Sequence, residues 1–225
     1  MGDVGAAFEA PPLGAPAALR LVRSDDLDAS VADDAIRRRI VASALRLAEA
    51  LGGWDPVHLH AVAQEAGVTM EEMHLHFSDK DRITEGFFDM ADAALTAAGR
   101  AENWPRMAMR ERLFITLMAW LDTLAPHRRI VAEMLGYKLH PEHIHLQVGG
   151  VARISRTVQW WREVALSPSI GWRRELEEAV LTTIYLTTFA RWMRDSSPGA
   201  EHTRRQLRRA LALAERGGGL LGYAR

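Results

Sequence analysis

Apolar residues recur at three- and four-residue spacing along most of the chain after residue 35, which is the repeat of an α-helix. The first of these stripes predicts a helix that begins after Ser30 or Asp33 and ends at Gly52, where a glycine pair follows the last apolar position. The stripe consists of Ile36, Ile40, Ala44, Leu47 and Leu51.

Three further helix starts follow within about thirty residues. Asp55 and the proline after it are typical of an N-cap and a first-turn proline, so a second helix is predicted over residues 56–66. Gly67 then supplies a tight turn. Thr69 and Glu72 have the spacing of a capping box and predict a third helix that ends near residue 77. Ser78 and Asp81 have the same spacing and predict a fourth helix that continues to Gly99.

The second half of the chain predicts five more helices. Between the second and third of these, Lys138–Gly150 is expected to be a loop because it contains a proline and two glycines. The five helices are expected around Leu113–Leu124, ending before Pro126; through Ile130 and Met134; over Val151–Leu166; over Trp172–Met193; and through Leu207–Ala214, ending at Gly217.

These elements predict an all-α protein of about nine helices. We expect a flexible arm over residues 1–30, a three-helix helix-turn-helix domain over 31–90, a larger helical ligand-binding and dimerisation domain over 91–217, and a flexible tail over 218–225.

Composition excludes several classes of function. The chain has no cysteine, so disulfides, thiolate metal sites and cysteine nucleophiles are excluded. Its longest weakly charged stretch, Ala179–Ala190, is too short to span a bilayer, and residues 1–30 lack the pattern of a signal peptide, so a cytoplasmic location is expected. No motif ties together catalytic residues or cradles a phosphate, and we predict neither an enzyme nor a cofactor.

Charge is distributed unevenly along the chain. The formal charge is −3 over residues 1–30, −6 over 31–95 and +8 over 96–225. Because nucleic-acid affinity depends largely on Lys and Arg, the acidic second segment argues against strong DNA binding by that segment.

The second and third helices with their glycine turn have the helix-turn-helix arrangement, in which the second helix enters a DNA major groove. Ala63–Thr69 followed by Met73–Lys80 resembles the head of the tetracycline-repressor (TetR) family, over a match that extends from Ile36 to about Phe88. The resemblance implies a DNA-binding homodimer that joins through the last two helices (172–194 and 200–216) and binds a small ligand in its C-terminal domain.

By position, the resemblance implies phosphate contacts from Thr69, His74, His76 and Lys80, and a base-facing surface at Met70–Glu72. The sequence departs from the family here. Met70, Glu71 and Glu72 stand where the family usually has a basic or small residue, a small residue and often a threonine, and His74 replaces a tyrosine. Carboxylates facing DNA lower affinity unless they accept hydrogen bonds from cytosine amino groups or turn away.

A second resemblance is to the lipid-binding family of coenzyme Q biosynthesis, which has the same helical fold and a degenerate DNA head. It implies the alternative function of a lipid-binding accessory protein that has lost DNA binding. The matching residues are Ala179–Tyr185, Thr188, Asp195–Pro198, Thr203 and Leu207.

Histidines form two groups. His58 and His60 join His74 and His76 as candidate DNA contacts, and their protonation near pH 6 would strengthen anion binding, although exposed histidines without a switch role are the simpler interpretation. A second group, with His140 and neighbouring histidines, has irregular spacing, and we predict no metal site there.

Large apolar residues in the second half supply candidates for a pocket that binds a small apolar ligand or lipid, although most such residues form plain core. The function predicted from the sequence is a ligand-responsive regulator, a repressor that binds a pseudo-palindromic operator on double-stranded DNA as a dimer. The pocket candidates are Trp120, Met134, Trp161 and Tyr185.

Overall fold

The structure is a computed structural model that describes residues 24–138 and 144–217. In these two ranges all regular structure is helical, which confirms the predicted all-α class. The α-helices are α1 (Ser24–Ala50), α2 (Leu59–Ala66), α3 (Met70–His76), α4 (Lys80–Ala98), α5 (Met109–Leu124), α6 (Arg128–Lys138), α7 (Ile144–Val164), α8 (Trp172–Met193) and α9 (Glu201–Arg216).

The chain divides into two compact units, Met1–Ala35 and Ile36–Arg225. The described part of the first unit is the beginning of α1. Most of the predicted arm (residues 1–23), the predicted tail (218–225) and His140 lie outside the described residues.

The starts of α1 and α7 differ from the sequence prediction. Helix α1 begins at Ser24 rather than after Ser30 or Asp33, because the apolar stripe from which its start was predicted begins only at Ile36 and marks nothing before it. Helix α7 begins at Ile144, so the predicted loop over Lys138–Gly150 is wrong for most of its length. A glycine pair inside a helix costs only about 1 kcal/mol per residue, which the rest of a 21-residue helix outweighs.

Helix α5 is the centre of the core. It packs along α4 and also contacts α7, α8 and α9, so its apolar residues are covered on several sides. One continuous apolar cluster extends from α1 through α4 and α5 to α9. Helix α4 is unbroken from Lys80 to Ala98, so the expected domain boundary near residue 90 falls inside a helix. The fully buried residues of α5 include Leu113, Leu117, Trp120, Leu121 and Leu124.

The turn between α8 and α9 is built around the Asp195 carboxylate, which is 3% exposed. One carboxylate oxygen accepts hydrogen bonds from the Ser197 hydroxyl (2.6 Å) and amide (3.0 Å). The other accepts from the Thr203 amide (2.7 Å) and hydroxyl (2.6 Å). Burial alone would raise the pKa of Asp195, but these hydrogen bonds outweigh it and hold the pKa well below its ordinary value.

We expect Asp195→Ala to lower the free energy of unfolding by about 2 kcal/mol at pH 7, because Thr203 loses a buried acceptor. Since the folded carboxyl has a pKa below its ordinary 3.8, its stabilisation is full above that pH and declines as the pH falls below it. Urea denaturation should therefore show the deficit of the variant shrinking below pH 4. Exposed Ser196→Ala is the control, and an equal loss there would contradict this role for Asp195.

Candidate nucleic-acid interface

Helices α2 and α3 form a helix-turn-helix whose turn depends on Gly67. This glycine has φ +63° and ψ +40°, in the left-handed region, and its amide donates to the carbonyl oxygen of Gln64. The next amide, from Val68, donates to Ala63 (3.0 Å) and closes the end of α2. A residue with a side chain is strained at this φ, so the sharp turn requires glycine.

The predicted start of α2 at residue 56 is wrong. The helix begins at Leu59, and residues 54–57 form a turn in which the Val57 amide donates to the Trp54 carbonyl (3.2 Å). Asp55 is therefore a turn residue rather than an N-cap. Aspartate followed by proline favours both arrangements, so the local sequence does not distinguish them.

The start of α3 is the capping box that the sequence predicted. The Thr69 hydroxyl accepts from the Glu72 amide (3.1 Å), and the Glu72 carboxylate accepts from the Thr69 amide (2.8 Å). These hydrogen bonds from Thr69 lower the pKa of Glu72. The Glu72 carboxylate thus points back along the chain to the helix start, which explains one of the two acidic departures on this helix.

Two buried side chains, Met73 and Phe77, attach α3 to the rest of the helix-turn-helix domain over residues 31–90, called the head below. Each is 1% exposed. The Phe77 ring lies against Gly86 of α4, where a Cβ atom would come within 2.9 Å of a ring carbon. Arg37 of α1 completes the attachment. Its guanidinium donates to the His76 carbonyl (2.7 Å) and lies 4.5 Å from the centre of the Phe77 ring. The helix is therefore fixed along its inner face and at both ends.

The outer face of α3 is open to solvent. Leu75 is 77% exposed and Met70 is 51% exposed, while His76 is half-buried. The face presents apolar, imidazole and carboxylate groups, since Met70–His76 contains no Lys or Arg. The exposed residues of α3 are Met70, Glu71, Glu72, His74 and Leu75.

Lys80, a predicted phosphate contact, is engaged inside the head. Its ammonium donates to the Asp55 carbonyl (2.9 Å) and lies 5.1 Å from the centre of the Trp54 ring. Partial burial lowers the pKa of Lys80. The N-cap of α4 is Asp79, which accepts from the Arg82 amide (2.8 Å), so the predicted capping pair Ser78–Asp81 is wrong by one residue.

Two arginines near the C-terminal end of α3 were missed by the sequence reasoning. Arg37 and Arg82 line a shallow cavity of about 310 Å³ together with His74 and Leu75. The run of three arginines at 37–39 was a signal for Arg37 alone, and nothing in the local sequence marked Arg82. The position of each beside α3 depends on how α1 and α4 pack. His58 and His60 are exposed at the start of α2, with their rings stacked 5.5 Å apart.

The head is joined to α6 by a polar contact. Glu133 accepts from the Trp54 amide (2.6 Å) and from Arg129 (2.8 Å). Arg129 also donates to the Gly52 carbonyl (2.8 Å) and to Glu49 (3.1 Å). A Cβ at residue 53 would lie 2.8 Å from the Glu133 carboxylate, so the glycine there allows this close approach.

The four pocket candidates of the C-terminal half are all buried, at 6% exposure or less. Trp120 donates to Asp92 (2.8 Å) and meets the Tyr185 ring edge-on at 5.5 Å. Trp161 donates to the Leu113 carbonyl (2.9 Å). Burial raises the pKa of Tyr185. These side chains, with Met134, form a packed aromatic and apolar core.

In residues 24–138 and 144–217, no three His, Asp or Glu side chains lie close enough together to bind a metal ion. None of the helices in the same ranges is both long and apolar enough to span a bilayer.

Comparison with known proteins identifies the family. No family model matches the chain, and no curated protein matches it. Among solved structures, a TetR transcriptional regulator from Nitrosomonas europaea is 40% identical, with a TM-score of 0.70 over 80% of this chain and 97% of that one. A TetR transcriptional regulator from a Rhodococcus species, 18% identical over 84% of this chain and 98% of that one, has a TM-score of 0.56 and shows the shared fold alone. The chain belongs to the TetR family of transcriptional regulators.

Proposed function

We propose that this protein is a ligand-responsive repressor that binds a pseudo-palindromic operator as a homodimer. The observation that carries the proposal is the outer face of α3, which is exposed while its inner face and both ends are fixed. A helix held in this way enters a major groove with little loss of conformational entropy.

The acidic composition of the head is compatible with operator binding once individual side chains are considered. Glu72 caps its own helix, which leaves Glu71 as a candidate acceptor for a cytosine amino group. Exposed Met70 and Leu75 suit the methyl groups of thymine. Arg82, exposed beside the C-terminal end of α3, is a candidate phosphate contact.

Selection from a random duplex library should enrich a palindromic sequence. In the His74→Glu variant we expect operator affinity to fall by about tenfold or more, because a new carboxylate on the exposed face repels phosphate. Gln159→Glu, an exposed residue of α7 with the same change in charge, is the control and should bind as the wild type does. Affinities are measured by fluorescence anisotropy on the selected duplex. If no sequence is enriched even at low salt, operator binding is contradicted.

A homodimer through α8 and α9 is supported by an exposed stripe on α8. Five of its residues face solvent at alternating three- and four-residue spacing, the pattern of a helix that packs against another helix. Leu186 is 43% exposed, and Leu213 of α9 is 65% exposed. The stripe consists of Leu176, Ala179, Thr183, Leu186 and Ala190.

Leu186→Glu should shift the protein from dimer to monomer, because a two-fold interface places the new charge in an apolar contact twice. We expect the dissociation constant of the dimer to rise by about tenfold or more, as measured by sedimentation equilibrium. Trp160→Glu, an exposed residue of α7 outside the stripe, should leave the dimer intact. Equal dissociation of both variants would contradict an interface on α8.

A small ligand in the C-terminal half is supported by two buried polar groups. The Thr188 hydroxyl and the Trp192 indole N–H, one turn apart on α8, have no hydrogen-bond partner among the described residues. Unpaired buried donors are costly, and a ligand with an acceptor oxygen would satisfy them. The Trp192 ring stacks on Phe189, which stacks on Tyr185, so the unpaired indole borders an aromatic cluster that suits an apolar body.

Thr188→Val should weaken ligand binding by about tenfold while stabilising the ligand-free protein by about 1 kcal/mol, because it removes an unpaired hydroxyl. The probe is the small molecule that mass spectrometry identifies in extracts of the purified protein, titrated back into ligand-free protein. In the control Thr116→Val, a hydroxyl that donates to the Arg112 carbonyl is lost, so stability should fall and ligand affinity should not. Unchanged affinity in Thr188→Val would contradict this site.

A second candidate function, a lipid-binding accessory protein without DNA binding, is favoured by the low positive charge around α3. The outer face of α3 lacks Lys and Arg, and the nearby Lys80 ammonium is bound to the Asp55 carbonyl. Absence of an enriched duplex together with a retained isoprenoid or acyl lipid would favour this function over the repressor.

A further inference from the structure

The exposed stripe of α8 is uncharged and contains large and small residues in turn. Leu176 and Leu186 are the large ones, and Ala179, Thr183 and Ala190 are the small ones, all of them exposed. The Thr183 hydroxyl donates to the Ala179 carbonyl (2.9 Å), so it requires no partner outside its own helix. Residues 179–190 contain no charged side chain. Charged residues are depleted in the same way at the centres of protein interfaces.

The order of large and small residues in the stripe is complementary to its own reverse. Two antiparallel copies centred on Thr183 place Leu176 opposite the partner's Ala190, because these two residues each lie seven positions from residue 183. They also place Leu186, three positions after Thr183, opposite the partner's Ala179, four positions before it. The one-residue difference is about 1.5 Å along the helix axis. Each leucine therefore meets an alanine, which lets the two faces interdigitate.

A parallel pair of α8 helices would fit less well, because each residue would meet its own copy. Both copies of Leu176 would meet at one end, beside both copies of Trp172, which lies one turn earlier on the same face and is 71% exposed. Both copies of Ala190 would meet at the other end. The distance between helix axes depends on the side chains at the contact, so the bulky end would hold the small end apart.

The two ends of α8 differ in charge. At the start, two arginines are offset by two glutamates, and the third glutamate there, Glu177, is buried and paired with Arg162. At the end, Arg191 and Arg194 are exposed while Asp195 is buried, and Arg191 lines a groove with two arginines of α9. Parallel packing would place two basic ends together, whereas antiparallel packing places each basic end beside a neutral one. The offset residues at the start are Arg173, Arg174, Glu175 and Glu178, and the arginines of α9 are Arg205 and Arg209.

We propose that α8 packs directly against α8 of a second copy in antiparallel orientation, with Thr183 on the two-fold axis and each leucine of the stripe against an alanine of the partner. The proposal rests on the homodimer proposed above and adds the orientation and register of its contact. A two-fold interface is formed by the same surface on both copies, so a surface that matches its own reverse fits a second copy of this chain. Thr188 and Trp192 lie on the buried side of the same helix, so ligand and partner contact α8 from opposite sides.

Single cysteines introduced into the full chain test the orientation, because the chain has no cysteine of its own. In Thr183→Cys the two new thiols lie next to each other across the axis, and mild oxidation should produce a disulfide-linked dimer on a non-reducing gel. Leu176→Cys and Ala190→Cys should each cross-link at least about tenfold more slowly alone, because like positions are about 21 Å apart along the helix axis. A mixture of these two variants should cross-link readily.

Gln159→Cys, an exposed residue of α7 outside the stripe, is the control for cross-linking by random collision. Circular dichroism checks that each variant is folded, and sedimentation equilibrium checks that it is dimeric before oxidation. If the variants are dimeric but Thr183→Cys cross-links no faster than Gln159→Cys, the antiparallel contact is overturned and the homodimer stands. The same holds if Leu176→Cys alone cross-links as fast as the mixture, which would indicate parallel helices. If the wild type is a monomer, the homodimer and this contact fail together.

An exchange of residue sizes tests the pairing without cysteines. Ala190→Leu places a leucine against the partner's Leu176 and should raise the dissociation constant of the dimer by about tenfold or more, because the contact is overpacked twice. Adding Leu176→Ala restores a leucine against an alanine, so the double variant should return to within about threefold of the wild type. A double variant that dimerises no more tightly than Ala190→Leu would overturn the pairing.

Discussion

The attachment of α3 through Met73 and Phe77 is the contact on which the head depends. A seven-residue helix is not stable in water by itself, because nucleation is unfavourable and few hydrogen bonds follow. Burial of Met73 on the inner face and of Phe77 directly after the helix end stabilises the helix and sets its rotation, which leaves the opposite face exposed. The Phe77 ring fits only because residue 86 is a glycine. The exposed recognition surface is therefore a consequence of packing on the other side.

The net charge of the head overstates how acidic its outer surface is. Several of its carboxylates are used within the fold: Glu72 caps α3, Asp79 caps α4, and Glu49 joins the head to α6. Burial would raise the pKa of Glu49, but hydrogen bonds with His127 and Arg129 outweigh it and lower the pKa. A count of charges along the sequence cannot separate such carboxylates from those that face a ligand. The separation depends on tertiary contacts between helices distant in the sequence.

Helices could be predicted from the sequence where buried residues follow the helical repeat. The directions in which individual side chains point could not be predicted. The bounds of α8 match the prediction because its apolar pattern is long and its ends carry clear signals. Asp55 failed as an N-cap because its local sequence suits a turn equally well. The capping box at Thr69 involves neighbours only and was predicted correctly. The contact of the Lys80 ammonium with the Trp54 ring could not be predicted, because Trp54 lies twenty-six residues earlier in the chain.

Buried charged residues at successive turns determine how the C-terminal helices are connected. Arg112 donates to the carbonyls of Met107 (2.6 Å) and Ala165 (2.7 Å), and so ties the start of α5 to the end of α7. Glu177 holds the loop before α8, and Asp195 holds the turn before α9. Apolar packing is non-directional and tolerates several turn geometries, whereas a buried carboxylate or guanidinium is stable only when its particular partners are in place. These three residues therefore select one geometry at each connection, and at the loop before α8 the selected geometry exposes apolar side chains that packing alone would bury.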